Sequence, residues 1–268
     1  LNATGQSPRG MLETFRRFAS DILVSLNNID PYLQSHPMPR DRMSALEAEV
    51  AKSRFIDRKD PPALQLRHDL MRAKLAGFLS RPDGVLRLYP PSDKSLPARY
   101  ARAISSYCSR GVRAAMKDMD ALIAEQPNNP YLHELKGQAL LESGLGAQAV
   151  GPLAKAVSLA PRAGLIRILH GQALLATDNP KLLDQAIGEL SAGSRAEPES
   201  QMAYRQLAIA YGRKGMIAEA LYSSALSALT TGNIEEAKTY AHRVQQRARS
   251  GSRMWNLAQD IINIPGPR

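Results

Sequence analysis

The spacing of glycines and prolines constrains this 268-residue chain more than any other feature. Gly111, Gly144, Asp178 and Gly215 follow one another at intervals of 33, 34 and 37 residues, while Pro127, Pro161 and Pro198 fall 34 and 37 apart. Two kinds of punctuation sharing one period indicate a repeated unit of about two helices. Such a unit cannot bury its apolar face alone, so its copies must stack into a solenoid. No alternating strand pattern runs longer than a few residues, and the expected fold class is all-α.

The clearest copy runs from Pro130 to Pro161, with Gly137, Leu140, Gly144, Ala149, Leu153, Ala156 and Pro161 in register. Gly137 and Ala149 let two helix backbones approach, Gly144 turns the chain, and Pro161 ends the second helix because it lacks an N–H. This is the pattern of the tetratricopeptide repeat (TPR), a helical hairpin of helices A and B. The next copy, Gly164 to Pro198, carries Gly171, Leu174, Ala186 and Leu190 and three extra residues within Thr177-Asp178-Asn179-Pro180-Lys181, where they lengthen a loop. Pro97 to Pro127 is a shorter copy ahead of these. A fourth begins near Gln201 with Tyr204, Leu207, Ala208, Tyr211, Gly215 and Ala220 in register. Gly232 follows Gly215 after half a period, so Ile217 to Leu229 is expected to act as B of one repeat and A of the next. Glu235 to Arg247 would be a further B helix, and Ser252 to Ile262 a last capping helix.

Ahead of the repeats, Ser7-Pro8 reads as the start of a helix on which Met11, Phe15, Phe18, Ile22 and Leu26 recur at helical spacing. The prolines of Asp30 to Pro39 exclude a regular helix there. Helices are predicted over Pro39–Lys52 and Pro61–Leu79, the second capped by Asp60. The expected organisation is a helical extension over 1–80, a turn-rich linker over 81–96 and a solenoid of four to five repeats with a capping helix over 97–263.

Composition excludes several functions. A single cysteine, Cys108, rules out a disulfide framework and a Cys-based zinc ribbon. No apolar run approaches the roughly 20 residues of a membrane span, and no basic stub with an apolar segment near Leu1 suggests a signal peptide. The net charge of +10 comes from scattered arginines without interleaved aromatics, which reads as a solvated basic surface. His133-Glu134 opens a zinc-protease string, but Gly137 stands where the second histidine is required. His68, His170 and His242 lack neighbouring ligands, so no cofactor or metal is expected in this chain. No phosphate-cradling loop or nucleophile elbow is present.

With no catalytic site, binding on the helix A face is the expected function. Repeat positions 2, 5, 9 and 12 give Tyr131, Glu134, Gln138 and Leu141 in the second repeat. They give Leu165, Ile168, Gln172 and Leu175 in the third, and Met202, Arg205, Ile209 and Gly212 in the fourth. Tyr131, Glu134, Gln138, Ile168, Gln172 and Arg205 are the candidate peptide contacts. Glu134 sits where a cation would be needed, which argues against clamping of a C-terminal carboxylate.

The order Asp30-Pro31-Tyr32-Leu33, Ser35-His36-Pro37-Met38-Pro39-Arg40-Asp41-Arg42, Pro61-Pro62, Leu66-Arg67-His68-Asp69 and then the repeats resembles BepA-like zinc metalloproteases of Gram-negative bacteria. The resemblance implies a parent whose zinc and catalytic residues lie upstream of Leu1, and makes this chain its non-catalytic C-terminal part. It also implies a periplasmic location and a role in envelope protein quality control. The implied partners are the upstream protease domain and unfolded or assembling envelope proteins, with no nucleic acid. In such a parent His36 would be able to cap the zinc as a fourth ligand. A generic TPR adaptor unrelated to proteolysis is the alternative, followed by an RNA-binding α-solenoid suggested only by the charge.

Overall fold

The computed structural model describes residues 1–25 and 39–266. They divide into two compact units, Leu1–Asp69 and the chain from Leu70 onward.

In the first unit a 3₁₀ turn, Asn2–Thr4, precedes α1 (Arg9–Ser25), which packs on α2 (Pro39–Ala51). Ser7 starts α1 as the sequence suggests: its Oγ accepts from the Arg9 N–H at 3.3 Å and donates to the Ile56 carbonyl at 2.6 Å. Arg16 pairs with Glu47 across the two helices at 2.9 Å. The buried apolar side chains are Leu12 and Val50, whereas Met11 and Phe18, expected on the buried stripe, are exposed. Helix α3 (Pro62–Leu79) begins one residue later than predicted and runs through the division between the units.

The second unit starts with the end of α3 and with α4 (Pro82–Leu88), then α5 (Leu96–Arg110). Residues 81–96, expected as a linker, are therefore partly helical. Pro82 opens α4 at its first turn, and Val85 is fully buried in one core with Ala73, Tyr100 and Ile104. Residues 70–88 belong to the solenoid's own core rather than to a separate extension.

From α5 onward the chain is an array of antiparallel hairpins: α5 with α6 (Val112–Glu125), α7 (Pro130–Glu142) with α8 (Gly146–Leu159), and α9 (Gly164–Leu175) with α10 (Leu183–Ala196). These are followed by α11 (Gln201–Arg213) with α12 (Ile217–Thr230). Consecutive A helices also touch, α7 with α9 and α9 with α11. Helix α12 packs as closely on α13 (Ile234–Gln245) as on α11, and α14 (Arg253–Ile262) closes the array on α13. The reading of α12 as B of one hairpin and A of the next agrees with this packing. The fold is an all-α, TPR-type helical-hairpin solenoid with a helical N-terminal extension, and no strand occurs among the described residues.

The turn markers do what their chemistry requires. Gly111, Gly144, Gly215 and Gly232 take φ of 83°, 77°, 77° and 74°, and Asp178 takes 54° in the same role. The insertion beside Asp178 forms a 3₁₀ turn, Pro180–Leu182, and leaves α9 and α10 intact. Arg213 ties this loop down by donating from Nη1 to the Leu175 carbonyl and the Asp178 carboxylate, both at 2.8 Å.

Hairpin closure rests on small residues. A Cβ at Gly137 would lie 2.4 Å from Leu153 Cγ, and one at Gly171 would lie 2.5 Å from Leu190 Cγ. Leu153 and Leu190 are fully buried. In the first repeat Ile104 stands at the equivalent position, and the small residue is Gly77 of α3, whose Cβ would come within 2.7 Å of Ile104 Cβ. The end of α3 thus completes the packing of α5.

Candidate functional site

Residues at i, i+3 and i+7 share one stripe of a helix. Tyr131, Glu134 and Gln138 form such a stripe on α7, Leu165, Ile168 and Gln172 on α9, and Met202, Arg205 and Ile209 on α11. Proline or a polar cap fixes two of these starts: Asn129 Oδ1 accepts from the Tyr131 N–H at 3.1 Å ahead of Pro130, and Ser200 Oγ accepts from the Ala203 N–H at 3.3 Å. The first member of each stripe is open, as is Ile209 at the far end of the last. Tyr131 is 53% exposed, Leu165 61%, Met202 46% and Ile209 45%.

The middle members differ from repeat to repeat. Glu134 is buried, and its two carboxylate oxygens accept from Lys74 Nζ of α3 at 2.9 and 2.7 Å. It is engaged within the chain and is not offered to a ligand. Ile168 is also buried, because its Cγ1 fills the space over Gly193 of α10, where a Cβ would stand 2.6 Å away. Arg205 is exposed and has no ion-pair or hydrogen-bond partner among the described residues. Gln138 donates to Glu142 at 2.7 Å along α7, and Gln172 is half-buried. The six sequence candidates therefore separate into an open set, Tyr131 and Arg205, a half-buried pair of glutamines, and two buried side chains. Sequence reasoning does not reach Lys74. It lies 60 positions from Glu134, and no local pattern links them.

Beside this pair, Tyr100 is buried with its hydroxyl unpartnered among the described residues. Its ionisation is pushed up by burial first, and then by the negative charge of Glu134 and by Tyr131. Tyr107 bonds to the Glu142 carboxylate, and its ionisation is raised by burial and then by that bond. Cys108 is exposed, with a thiol raised by partial burial and then by Glu142, which is opposite to the depressed thiol of a nucleophile.

His170 is almost wholly buried between α9 and α10, with both ring nitrogens unpartnered. Its Nδ1 lies 3.6 Å from Glu189, which is itself bonded to Arg167 at 2.6 Å. Burial holds His170 below the usual histidine range, against the opposing pull of Glu189. His133 Nε2 donates to the Pro127 carbonyl at 2.8 Å, and Gly137, in the place of a second zinc histidine, lies under Leu153. No group of three or more potential metal ligands occurs among the described residues, and none of their helices is long and apolar enough to cross a membrane. His36 lies outside the described residues.

No protein-family model matches the chain, and no curated protein matches it by sequence. Among solved structures the chain is similar to MamA MSR-1, at 18% identity and a TM-score of 0.47 over 68% of this chain and 97% of that one. It is also similar to MamA AMB-1, at 18% identity and a TM-score of 0.48 over 63% and 97%. A third is TTC0263, a thermophilic TPR protein in Thermus thermophilus, at 16% identity and a TM-score of 0.40 over 63% and 99%.

Proposed function

We propose that this chain is a protein-binding scaffold whose helix A stripes take a polypeptide partner. One observation carries the reading: three large apolar side chains, Tyr131, Leu165 and Met202, stand open at the same stripe position of three successive A helices, and Ile209 stands open two turns beyond Met202 on the last. An aligned apolar row on adjoining helices is a protein-contact surface, since isolated exposed apolar residues have no reason to line up. The scattered arginines offer no comparable row to a nucleic acid, and Arg205 sits singly within the apolar set.

The resemblance of the N-terminal motifs to BepA-like zinc metalloproteases supports a finer proposal. In it this chain serves a periplasmic zinc-dependent parent by holding unfolded or assembling envelope proteins near an upstream protease domain. A His-Glu-x-x-His string in the coding sequence ahead of Leu1 would agree with that parent, and another domain there would remove it. Proteolysis by such a parent carrying His36→Ala would show whether His36 restrains the zinc.

The binding reading is tested by placing a photo-crosslinking amino acid at positions 131, 165 and 202 and, as B-helix controls, at 117 and 155. The probe is an unfolded outer-membrane protein diluted from urea. Crosslinks confined to the A positions, and reduced at 165 by Tyr131→Ala plus Arg205→Ala, are the expected result. Equal crosslinking at all five positions would overturn the reading.

A further inference from the structure

One carboxylate and one imidazole are buried among the described residues of the solenoid, Glu134 and His170, and only the first is satisfied. Glu134 accepts from Lys74 on both oxygens. The His170 ring has no hydrogen-bond partner at either nitrogen among the described residues. The carboxylate beside it, Glu189 of α10, stands 3.6 Å away and gives its other oxygen to Arg167 at 2.6 Å. A neutral imidazole tolerates that position. An imidazolium would bring two N–H donors and a charge into the helix crossing, with no acceptor in bonding range.

The ring lies where the α9–α10 hairpin is held together. Gly171, the next residue, makes the close crossing over Leu190 of α10. This is also the hairpin with the lengthened loop around Asp178, which Arg213 of α11 ties down from outside. Ile168, Leu174, Leu175 and Leu190 cluster with Leu207 of α11, apart from the cores of α3–α8 and of α12–α14. Loosening at His170 therefore acts on one section of the array, because each repeat is held chiefly by its neighbours. That section matters to the A face, since α9 touches both α7 and α11 and joins their stripes.

The charges acting on the ring are Glu189 and Arg167. Other ionisable groups of the helices packed on α9 are engaged or exposed. On α7, Glu134 binds Lys74, Lys136 binds Asp120, Glu142 binds Tyr107, and His133 binds the Pro127 carbonyl. Asp184 of α10 binds Lys214, Arg213 of α11 binds the loop, and Lys155, Arg195 and Arg205 are exposed. Resting for its consequence on the reading of the A face as the binding surface, we infer that protonation of His170 in mild acid opens the α9–α10 hairpin and divides that face between α7 and α11. Burial holds the ring below the usual histidine range, so the closed hairpin rejects a proton that the open one accepts near the ordinary value of about 6.5. A single histidine sets a ceiling: between pH 7.5 and 5.5 the open population rises by at most about tenfold.

Hydrogen exchange of the full chain at those two pH values, with labelling times scaled to the chemical exchange rate, tests the opening. Protection of α9 and α10 is expected to fall by about threefold to tenfold relative to α6 and α13. His170→Phe, or His170→Gln if the larger ring disturbs the crossing, should abolish that fall. Glu189→Gln should leave it in place or enlarge it, because the carboxylate is the charge that favours the imidazolium. An equal fall in all helices, a fall that survives loss of His170, a smaller fall in Glu189→Gln, or no fall would each overturn the inference. The division of the face is read by fluorescence anisotropy with the unfolded outer-membrane protein, which wild type should bind more weakly at pH 5.5 than at 7.5. The His170 variants, which cancel the probe's own titration, should not show that loss, and equal binding by variant and wild type at pH 5.5 would overturn the division. No binding at either pH would count against the broader binding reading, and hydrogen exchange would still decide the opening.

Discussion

Replacing Gly171 by Ala tests whether hairpin closure depends on the glycines at the A–B crossings. In an open helical site the change is favourable, because Ala gains about 1 kcal/mol over Gly in a helix interior. At Gly171 the added methyl would lie 2.5 Å from Leu190 Cγ, 2.9 Å from Leu190 Cδ2 and 3.2 Å from the Ala186 carbonyl oxygen. Carbon contacts favour about 3.5–4.0 Å, so either Leu190 leaves its rotamer or α10 moves away. Leu190 is fully buried and has nowhere to turn, and the carbonyl belongs to a helix backbone. Overpacking of this kind costs about 1–3 kcal/mol, and the backbone contact places it in the upper half of that range. The net expectation is a loss of about 1–2 kcal/mol. Gly188, on α10 of the same hairpin, is the internal control. Nothing lies within 4 Å of its added Cβ, so Gly188→Ala should gain about 0.5–1 kcal/mol. Both variants are compared by urea unfolding followed by far-ultraviolet circular dichroism. Hydrogen exchange of α9 and α10 is added because a solenoid can open locally. If Gly171→Ala proves as stable as wild type, or more so, the helices are not held at the separation described, and the crossing argument fails.

The remaining expectations concern three polar sites. Lys74→Ala leaves the Glu134 carboxylate buried and unpaired and should cost about 2–3 kcal/mol, below the full range for a buried pair because Lys74 is about one-third exposed. Lys74→Met with Glu134→Leu should recover most of that in a double-mutant cycle, and a cycle without coupling would refute the pairing. At Asp178, with φ of 54°, Val should cost about 1–2 kcal/mol while Gly stays within about 0.5 of wild type, because relief of the left-handed backbone offsets loss of the exposed Arg213 pair; equal urea midpoints for the two variants would contradict this. The His170 pKa is lowered in the folded chain, so the unfolded chain binds more protons as pH falls below about 6.5. The stability this residue contributes is therefore complete above that pH and lost as pH falls toward the folded value, with Glu189 and Arg167 as the charges facing it. His170→Phe should flatten the dependence of the urea midpoint on pH between about 7.5 and 5.5, and an unchanged slope would assign the dependence to other groups.

Features of this fold that recur with a period can be read directly from the chain. The positive-φ turns are marked by Gly111, Gly144 and Gly215, and Asp178 can be placed among them because the spacing predicts a turn where an L-residue tolerates that backbone. The insertion after Leu175, the dual role of α12 and the closing helix α14 follow from the same arithmetic. Helix α4 escapes sequence reasoning for a physical reason. Pro82, Asp83 and Gly84 are turn formers by composition, yet proline and aspartate also suit the first turn of a helix, and burial of Val85 against the solenoid core decides between the two.

The site is less legible because its middle positions are decided by what reaches them from elsewhere. Glu134, Ile168 and Arg205 hold the same place in three repeats and have three different fates. Local periodicity assigns all three to one surface, since it knows only which side of its own helix a residue faces. Ile168 turns inward because Gly193 leaves a space of the right size on α10, a fact about a neighbouring helix 25 residues away. Glu134 closes because α3 brings Lys74 to it across 60 residues. Arg205 stays open because no element of the described chain carries an opposite charge to it. A repeat sequence therefore specifies its scaffold through short-range rules and its binding surface through exceptions to them. Arg205, with Met202 and Ile209 on either side of it, is the place on these stripes where neither the rules nor the exceptions supply a cover from within the described chain.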